Sequence, residues 1–198
     1  VSFTVNSYTV TLTKGTGIDK IYYKVNGASS YSSTASSTTI KVNYGSTYYV
    51  YATASTGYNT PTWSVTSGGV TISSNAFTMP AKAVALSVSA TAKQYTVTLN
   101  NQSATSAGST SVRPTYGSAV PKITVPTRTG YTFGGYYTST NGSGTQYYTA
   151  AGASARTWNL TSNTTLYAKW TANKYTVTLN QQSGSGGTSS VNATYASN

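Results

Sequence analysis

The stretch Tyr95-Thr96-Val97-Thr98-Leu99-Asn100 decides how this chain is read, because it returns as Tyr175-Thr176-Val177-Thr178-Leu179-Asn180, a period of 80 residues. Bulky and small polar side chains alternate along it, the period of a strand with one buried face. The match runs on from Gln102-Ser103 to Gln182-Ser183, and from Ser111-Val112 and Thr115-Tyr116 to Ser190-Val191 and Thr194-Tyr195. The last offset is 79, so the intervening Gly/Ser loop is one residue shorter in the later copy. A more distant copy comes first. Tyr8-Thr9-Val10-Thr11-Leu12 opens it, Asn43-Tyr44-Gly45-Ser46 parallels Thr115-Tyr116-Gly117-Ser118, Gly57-Tyr58 parallels Gly130-Tyr131, and Ala85-Leu86-Ser87-Val88 parallels Thr165-Leu166-Tyr167-Ala168. The expected units are 7–93, 94–173 and a partial third over 174–198. Residues 1–6 read as the final strand of something earlier.

Thr, Val and Tyr suit pleated, half-buried surfaces and Ser and Gly suit turns, while Glu, Leu and Met are scarce, so the expectation is an all-β chain without long helices. Further strands are expected at Ile40–Tyr44, Tyr48–Thr53 and Leu166–Trp170, and turns at Asn26-Gly27, Tyr44-Gly45, Ser67-Gly68-Gly69, Tyr116-Gly117 and Asn141-Gly142. Pro61, Pro80, Pro114, Pro121 and Pro126 mark places where ladders break. Residues 146–154 admit a short helical turn. Trp63, Phe77, Phe133, Trp158 and Trp170 are the expected core anchors. In each of the pairs Tyr22-Tyr23, Tyr48-Tyr49, Tyr136-Tyr137 and Tyr147-Tyr148, strand geometry sends one ring inward and one outward. Units of this size, without disulfides, are marginal alone and gain by stacking in an array.

Composition excludes most chemistry. There is no Cys and no His, and Asp19 is the sole acid against 12 Lys and Arg, a net charge of +11. Disulfides, Cys/His metal sites and a Ser-His-Asp triad are therefore impossible, and paired-carboxylate acid–base work has no groups to use. No phosphate-binding Gly loop appears; Gly134-Gly135 and Gly186-Gly187 read as turns. No enzyme activity, cofactor or metal is expected. No apolar run approaches the roughly 20 residues of a membrane helix. The cations, such as Lys14, Lys41, Lys82, Arg113, Arg156 and Lys174, are scattered, which argues for solubility and against nucleic-acid binding.

The stretch Pro126-Thr127-Arg128-Thr129-Gly130-Tyr131-Thr132-Phe133-Gly134-Gly135-Tyr136-Tyr137, followed by Leu166-Tyr167-Ala168-Lys169-Trp170, resembles the internalin-type B-repeat, or Listeria–Bacteroides repeat. The first unit, with Phe77-Thr78-Met79-Pro80-Ala81 before Ala85–Val88, resembles a divergent B-repeat. Tyr136 stands where Trp is common in the family, and Asn100, Asn159 and Asn180 where an acid is common. The resemblance implies tandem small β-grasp-like domains with short connections, on the bacterial cell surface, working in adhesion, spacing or partner contact. In the residues themselves, Gly130, Gly134 and Gly135 fit tight turns or close strand approach, and Phe133 and Trp170 fit a shared core.

The third copy carries only the opening strands of a repeat. Two readings stand: a window on a longer tandem protein, or ends that pair with another copy. In the second, Val1, Phe3 and Val5 of one molecule add to Tyr175, Val177, Leu179, Val191 and Tyr195 of the next, a head-to-tail contact that builds a filament. The expected partners are thus further copies of the chain, with cell-wall polysaccharide or a host surface as other candidates. The expected role is a structural fibre subunit or adhesin stalk; the alternative is a module binding carbohydrate or cell-wall polymer.

Overall fold

The computed structural model describes residues 4–196, and by internal contacts the chain divides into two units, Val1–Lys93 and Gln94–Asn198. In the first, the strands are β1 (Ser7–Lys14), β2 (Ile18–Val25), β3 (Ser32–Thr34), β4 (Thr38–Asn43), β5 (Thr47–Ala54), β6 (Thr62–Ser67), β7 (Ala76–Thr78) and β8 (Val84–Ser89). They form two four-stranded sheets, β4-β1-β8-β6 and β3-β2-β5-β7. Both sheets send side chains into one core, including Val10 and Leu12 of β1, Val84, Leu86 and Val88 of β8, and Tyr48 and Val50 of β5. Every second residue of β8 is buried, the alternation expected of a one-faced strand. Strand β2 breaks that period: Ile18 and Ile21 are both buried although three residues apart. A register shift against β5 between Ile18 and Lys20 inserts the extra residue that brings both to the same face.

The second unit holds β9 (Val97–Asn100), β10 (Ser111–Val112), β11 (Tyr131–Tyr137), a single 3-10 turn at Thr140–Gly142, β12 (Gln146–Tyr148), β13 (Thr164–Ala172), β14 (Lys174–Thr178) and β15 (Ser190–Thr194). Its main sheet runs β10-β9-β13-β11-β12, and β14 and β15 make a separate two-stranded sheet. Again a bulge solves a spacing problem. Phe133 and Tyr136 are three apart and both buried, with the register against β13 shifting between them at Gly134-Gly135. Gly135 holds φ +108, and a Cβ there would overlap the Tyr148 carbonyl oxygen, whereas one on Gly134 would meet only the flexible Lys169 stem.

The two sheets share one plan. In each sheet the strand that comes first in the chain pairs in parallel with the one that comes last, β1 with β8 and β9 with β13, and an antiparallel strand flanks each side of that pair. Leu12 lies opposite Leu86, and Leu99 opposite Leu166. The turns repeat as well. Ser46 N–H donates to Asn43 O at 3.1 Å and Ser118 N–H to Thr115 O at 3.1 Å, around Gly45 (φ 77°) and Gly117 (φ 75°). Lys93 N–H donates to Gly57 O at 2.8 Å, and Asn173 N–H to Gly130 O at 2.9 Å. Among the described residues the sheet of β2, β3, β5 and β7 has no counterpart in the second unit.

The all-β class holds: no α-helix occurs among the described residues. The five prolines all lie outside strands. Trp158, Phe77 and Phe133 are buried, while Trp63 and Trp170 sit half-buried at the core's edge. Residues 146–154 hold no helical turn. They form β12 and a turn in which Thr149 N–H donates to Ala153 O at 2.9 Å. The rule of one ring in and one out describes Tyr48-Tyr49 and Tyr136-Tyr137, where Tyr48 and Tyr136 are fully buried and their neighbours are not. It fails at Tyr147-Tyr148, both buried. The chain beyond β12 folds back over that strand's second face: Trp158 packs 4.9 Å from the Tyr147 ring, and Tyr148 OH donates to Pro121 O at 3.0 Å. In the remaining pair both rings are half-buried, Tyr23 against core Tyr48 and Tyr22 against Tyr51.

Gly135→Ala is expected to destabilise the second unit by about 1–3 kcal/mol through backbone strain, and Gly134→Ala by less than about 1 kcal/mol; chemical denaturation of the two variants checks the ranking. Burial pushes the Tyr136 hydroxyl, with neighbouring Tyr148 adding to the effect, from its ordinary 10.0 up to about 12. Burial does the same for Tyr148, also to about 12. Their folded values lie above the unfolded ones, so this stabilisation is fully present below pH 10.0 and lost as pH rises towards about 12. Alkaline titration followed by tyrosinate absorbance is expected to show a late class of tyrosines that ionises together with loss of near-UV circular dichroism.

Candidate assembly interface

Strands form where apolar residues alternate, but they stay buried only where another layer covers them. The hairpin β14–β15 obeys the first condition and not the second. Its register is Tyr175↔Ala193, Thr176↔Asn192, Val177↔Val191 and Thr178↔Ser190. The opening of the second unit has the same register, with Val97↔Val112 and Thr98↔Ser111. The backbone bonds beyond the ladder match too: Leu99 N–H donates to Thr110 O at 2.8 Å, and Leu179 N–H to Ser189 O at 2.9 Å. Each is closed by the same side-chain device, the Asn100 and Asn180 Oδ1 atoms accepting from Gln102 N–H and Gln182 N–H, both at 3.0 Å. Positive φ at Gln102, Ser103, Gln182 and Ser183 completes the parallel.

Burial separates the two. Tyr95, Val97 and Leu99 are 9%, 0% and 3% exposed, whereas Tyr175, Val177 and Leu179 are 49%, 43% and 42% exposed. In the main sheet β9 lies between β10 and β13; among the described residues β14 pairs with β15 alone. Beside this exposed apolar row the second edge of β14 is unpaired among the described residues, the arrangement that templates strand addition.

The hairpin is anchored at its root. Tyr195 N–H donates to Asn173 O at 2.8 Å, and the Thr132 hydroxyl donates to Asn173 Oδ1 at 2.7 Å. The Tyr195 ring packs edge-on to Tyr131 at 5.5 Å, and it fills the space that a Cβ on Gly130 would need. Gly130, expected to serve a tight turn (its φ is +76), thus also gives room to the third copy's tyrosine.

Of the expected assembly residues, Tyr175, Val177, Leu179, Val191 and Tyr195 fall together on this hairpin, all exposed. Val5 is 57% exposed and outside any strand. Val1 and Phe3 lie outside the described residues. Sequence reasoning missed the aromatic row on the outer face of β2 and β5. There Tyr22 stacks on Tyr51 at 4.5 Å, Tyr31 meets Tyr51 edge-on at 4.9 Å, and the Lys24 ammonium lies 4.8 Å from the Tyr31 ring centre. The period-two pattern does not reveal it, because the row depends on Tyr22↔Tyr51 pairing across two strands. A polar recess of about 290 Å³ lies in the second unit, lined by Gln102, Arg128, Tyr131 and Trp170 among others. Its most prominent groups are already engaged: Arg128 sits 3.9 Å over Tyr131, and Trp170 Nε1–H donates to Asn101 O at 2.9 Å.

No group of three or more metal-ligating side chains occurs among the described residues. No helix among them is long and apolar enough to cross a membrane.

Residues 95–169 match the sequence profile of the Listeria-Bacteroides repeat domain, the B-repeat family whose motifs the sequence carries. Repeats of this family occur in bacterial surface proteins, where they are structural modules. The curated proteins include no significant match to the chain.

Leu99→Ala is expected to cost about 2–5 kcal/mol, as for a buried leucine, and the equivalent Leu179→Ala less than about 0.5 kcal/mol in the isolated chain. Thermal unfolding of both variants at low protein concentration tests the difference.

Proposed function

We propose that this chain is a structural repeat region of an extracellular bacterial surface protein, working as a fibre subunit or adhesin stalk and assembling by strand addition at its ends. The observation that carries the reading is the hairpin β14–β15, a copy of the opening of the second unit with its apolar row uncovered. In this reading 7–93 and 94–173 are successive repeats, each built β-grasp-like around its central parallel pair, and 174–198 is a partial third repeat. Val1, Phe3 and Val5 of one molecule, alternating apolar residues, join the sheet of the next molecule at Tyr175, Val177 and Leu179. Main-chain hydrogen bonds supply affinity in such a contact and alternate side chains supply fit. Because the donor and acceptor surfaces differ, the contact is heterologous and propagates. The family match over 95–169 supports the surface placement.

A second reading, binding of carbohydrate or cell-wall polymer, is favoured by the row of Tyr22, Tyr31 and Tyr51 beside Lys24. Tyrosine offers a large ring with a polar tip, suited to sugar faces.

Negative-stain imaging of the purified chain is expected to show regular fibres that disappear when residues 1–6 are removed. Isolated particles at every concentration would refute self-assembly. Saturable binding in a glycan screen, lost in Tyr51→Ala, would move the assignment to the second reading.

A further inference from the structure

The core of the first unit is not filled to its edge. A recess of about 240 Å³ lies between its two sheets, with walls that include Ser32 of edge strand β3 and Ile40 of edge strand β4. Tyr23, Val25, Ala28 and Tyr48 make the rest of it mostly apolar. Pockets that enclose drug-sized ligands measure roughly 300–1,000 Å³, so this one takes a substituent and not a whole molecule.

Tyr48 supplies the informative group. It is fully buried, and its hydroxyl has no hydrogen-bond partner among the described residues. Buried polar groups are paired in all but a few cases, because leaving one unpaired costs stability. The other fully buried tyrosines follow that rule: Tyr136, Tyr147 and Tyr148 donate to Asn101 Oδ1, Asn159 Oδ1 and Pro121 O. Burial, with neighbouring Tyr23 adding to the effect, raises the pKa of Tyr48 above its ordinary 10.0, so the hydroxyl keeps its proton and is a donor. The recess has no acid in its lining, and its one cation is turned away. The Lys24 ammonium lies 4.8 Å from the Tyr31 ring centre and 5.5 Å from that of Tyr49, on the outer face of the sheet.

These features narrow the ligand. A hydrocarbon would fill the walls and leave the hydroxyl unpaired. A carboxylate would enter a mostly apolar recess with no cation directed at it. A neutral carbonyl beside a methyl group suits both the walls and the hydroxyl. The recess also adjoins the row of Tyr22, Tyr31 and Tyr51, since Lys24 and the segment 28–32 take part in both. We infer that the recess is the subsite for the acetamido group of an N-acetylated amino sugar, in a glycan whose chain lies on that aromatic row. The acetamido methyl packs against Val25, Ala28 and Ile40, and its carbonyl oxygen accepts from the Tyr48 hydroxyl. Because Tyr48 is fully covered in the free chain, the carbonyl reaches it with a small shift of the wall, of which the exposed loop residues Ala28 and Ser30 are the movable part. The inference rests on the glycan-binding reading of the row and adds which substituent is recognised, and by what.

The test titrates the full chain with the tetramer of β-1,4-linked N-acetylglucosamine and with cellotetraose, the same backbone carrying a hydroxyl in place of each acetamido group. The N-acetylated tetramer is expected to bind about tenfold more tightly or better, the effect of one hydrogen bond and one buried methyl. Tyr48→Phe removes only the hydroxyl. It is expected to weaken binding of the N-acetylated tetramer by about tenfold, to leave that of cellotetraose unchanged, and to leave the unfolding temperature unchanged or higher, since the group removed is unpaired. Ala28→Leu, on an exposed loop, fills the recess and is expected to erase the preference with the unfolding temperature unchanged. Equal binding of the two tetramers, or a preference that survives either variant, overturns the inference; if that binding is lost in Tyr51→Ala, the glycan reading of the row still stands. Binding of neither tetramer overturns the inference, and an empty glycan screen beside it overturns the glycan reading too.

Discussion

The parallel pairing of each main sheet's opening strand with its closing strand, through Leu12 and Leu86 in one unit and Leu99 and Leu166 in the other, is the constraint on which the rest depends. All four leucines are buried, at most 3% exposed. A parallel pair cannot be closed by a tight turn; it needs a long crossover, and the intervening chain of each unit is that crossover. The consequence is cooperative. The opening strands can pair locally on one edge, but their other edge is paired only when the closing strand arrives from more than sixty residues away. Contacts of that kind carry the loop-closure cost that makes such topologies slow to form.

The charge imbalance finds its physical answer in tyrosine. With Asp19 as the sole acid, the cations cannot be balanced by ion pairs. Several lie over aromatic faces instead. The Arg128 guanidinium is 3.9 Å from the Tyr131 ring centre, the Lys24 ammonium 4.8 Å from Tyr31, and Arg156 and Lys169 are 5.7 and 5.8 Å from Tyr147 and Tyr137. At exposed positions such contacts contribute roughly 0.5–1 kcal/mol each, enough to order a side chain and too little to hold a fold. Asparagine takes over another task of acids. Asn100, Asn180 and Asn159 accept hydrogen bonds on Oδ1, from Gln102 N–H, Gln182 N–H and the Tyr147 hydroxyl respectively. The bonds described ask only for an acceptor oxygen.

Much of this was legible in the residues. The repeated Tyr-Thr-Val-Thr-Leu motif located the opening strands, and the correspondence of Leu86 with Leu166 matched the register of both parallel pairs, because register is what a period-two pattern specifies. Gly45, Gly57, Gly117 and Gly130 were readable because a positive φ leaves few other choices. Strand β2 was harder, since its bulge puts Ile18 and Ile21 on one face and spoils the alternation. The burial of both Tyr147 and Tyr148 was not readable at all. It depends on residues 149–158 folding over an edge strand, a tertiary event with no local signature. The exposure of β14 is of the same kind. Its sequence is that of β9 from tyrosine to asparagine, so nothing local distinguishes a covered copy from an uncovered one.

That identity has a physical implication for how such repeats join. The opening pair of strands carries its hydrogen-bonded ladder, its asparagine-closed turn and its register whether or not a closing strand is present, since β14–β15 keeps all three without one. In the proposed assembly the acceptor is thus formed in advance, and the entropy of ordering it is not charged to the binding step, which is the general route to affinity from a modest surface. Attachment at the root reinforces this. Tyr195 sits over Gly130, where any side chain would displace it, and Asn173 links the hairpin to Thr132. A strand added there, as the proposed function requires, would meet an edge whose direction and spacing are already fixed, and whether it comes from the same chain or another would change only the effective concentration at which it is supplied.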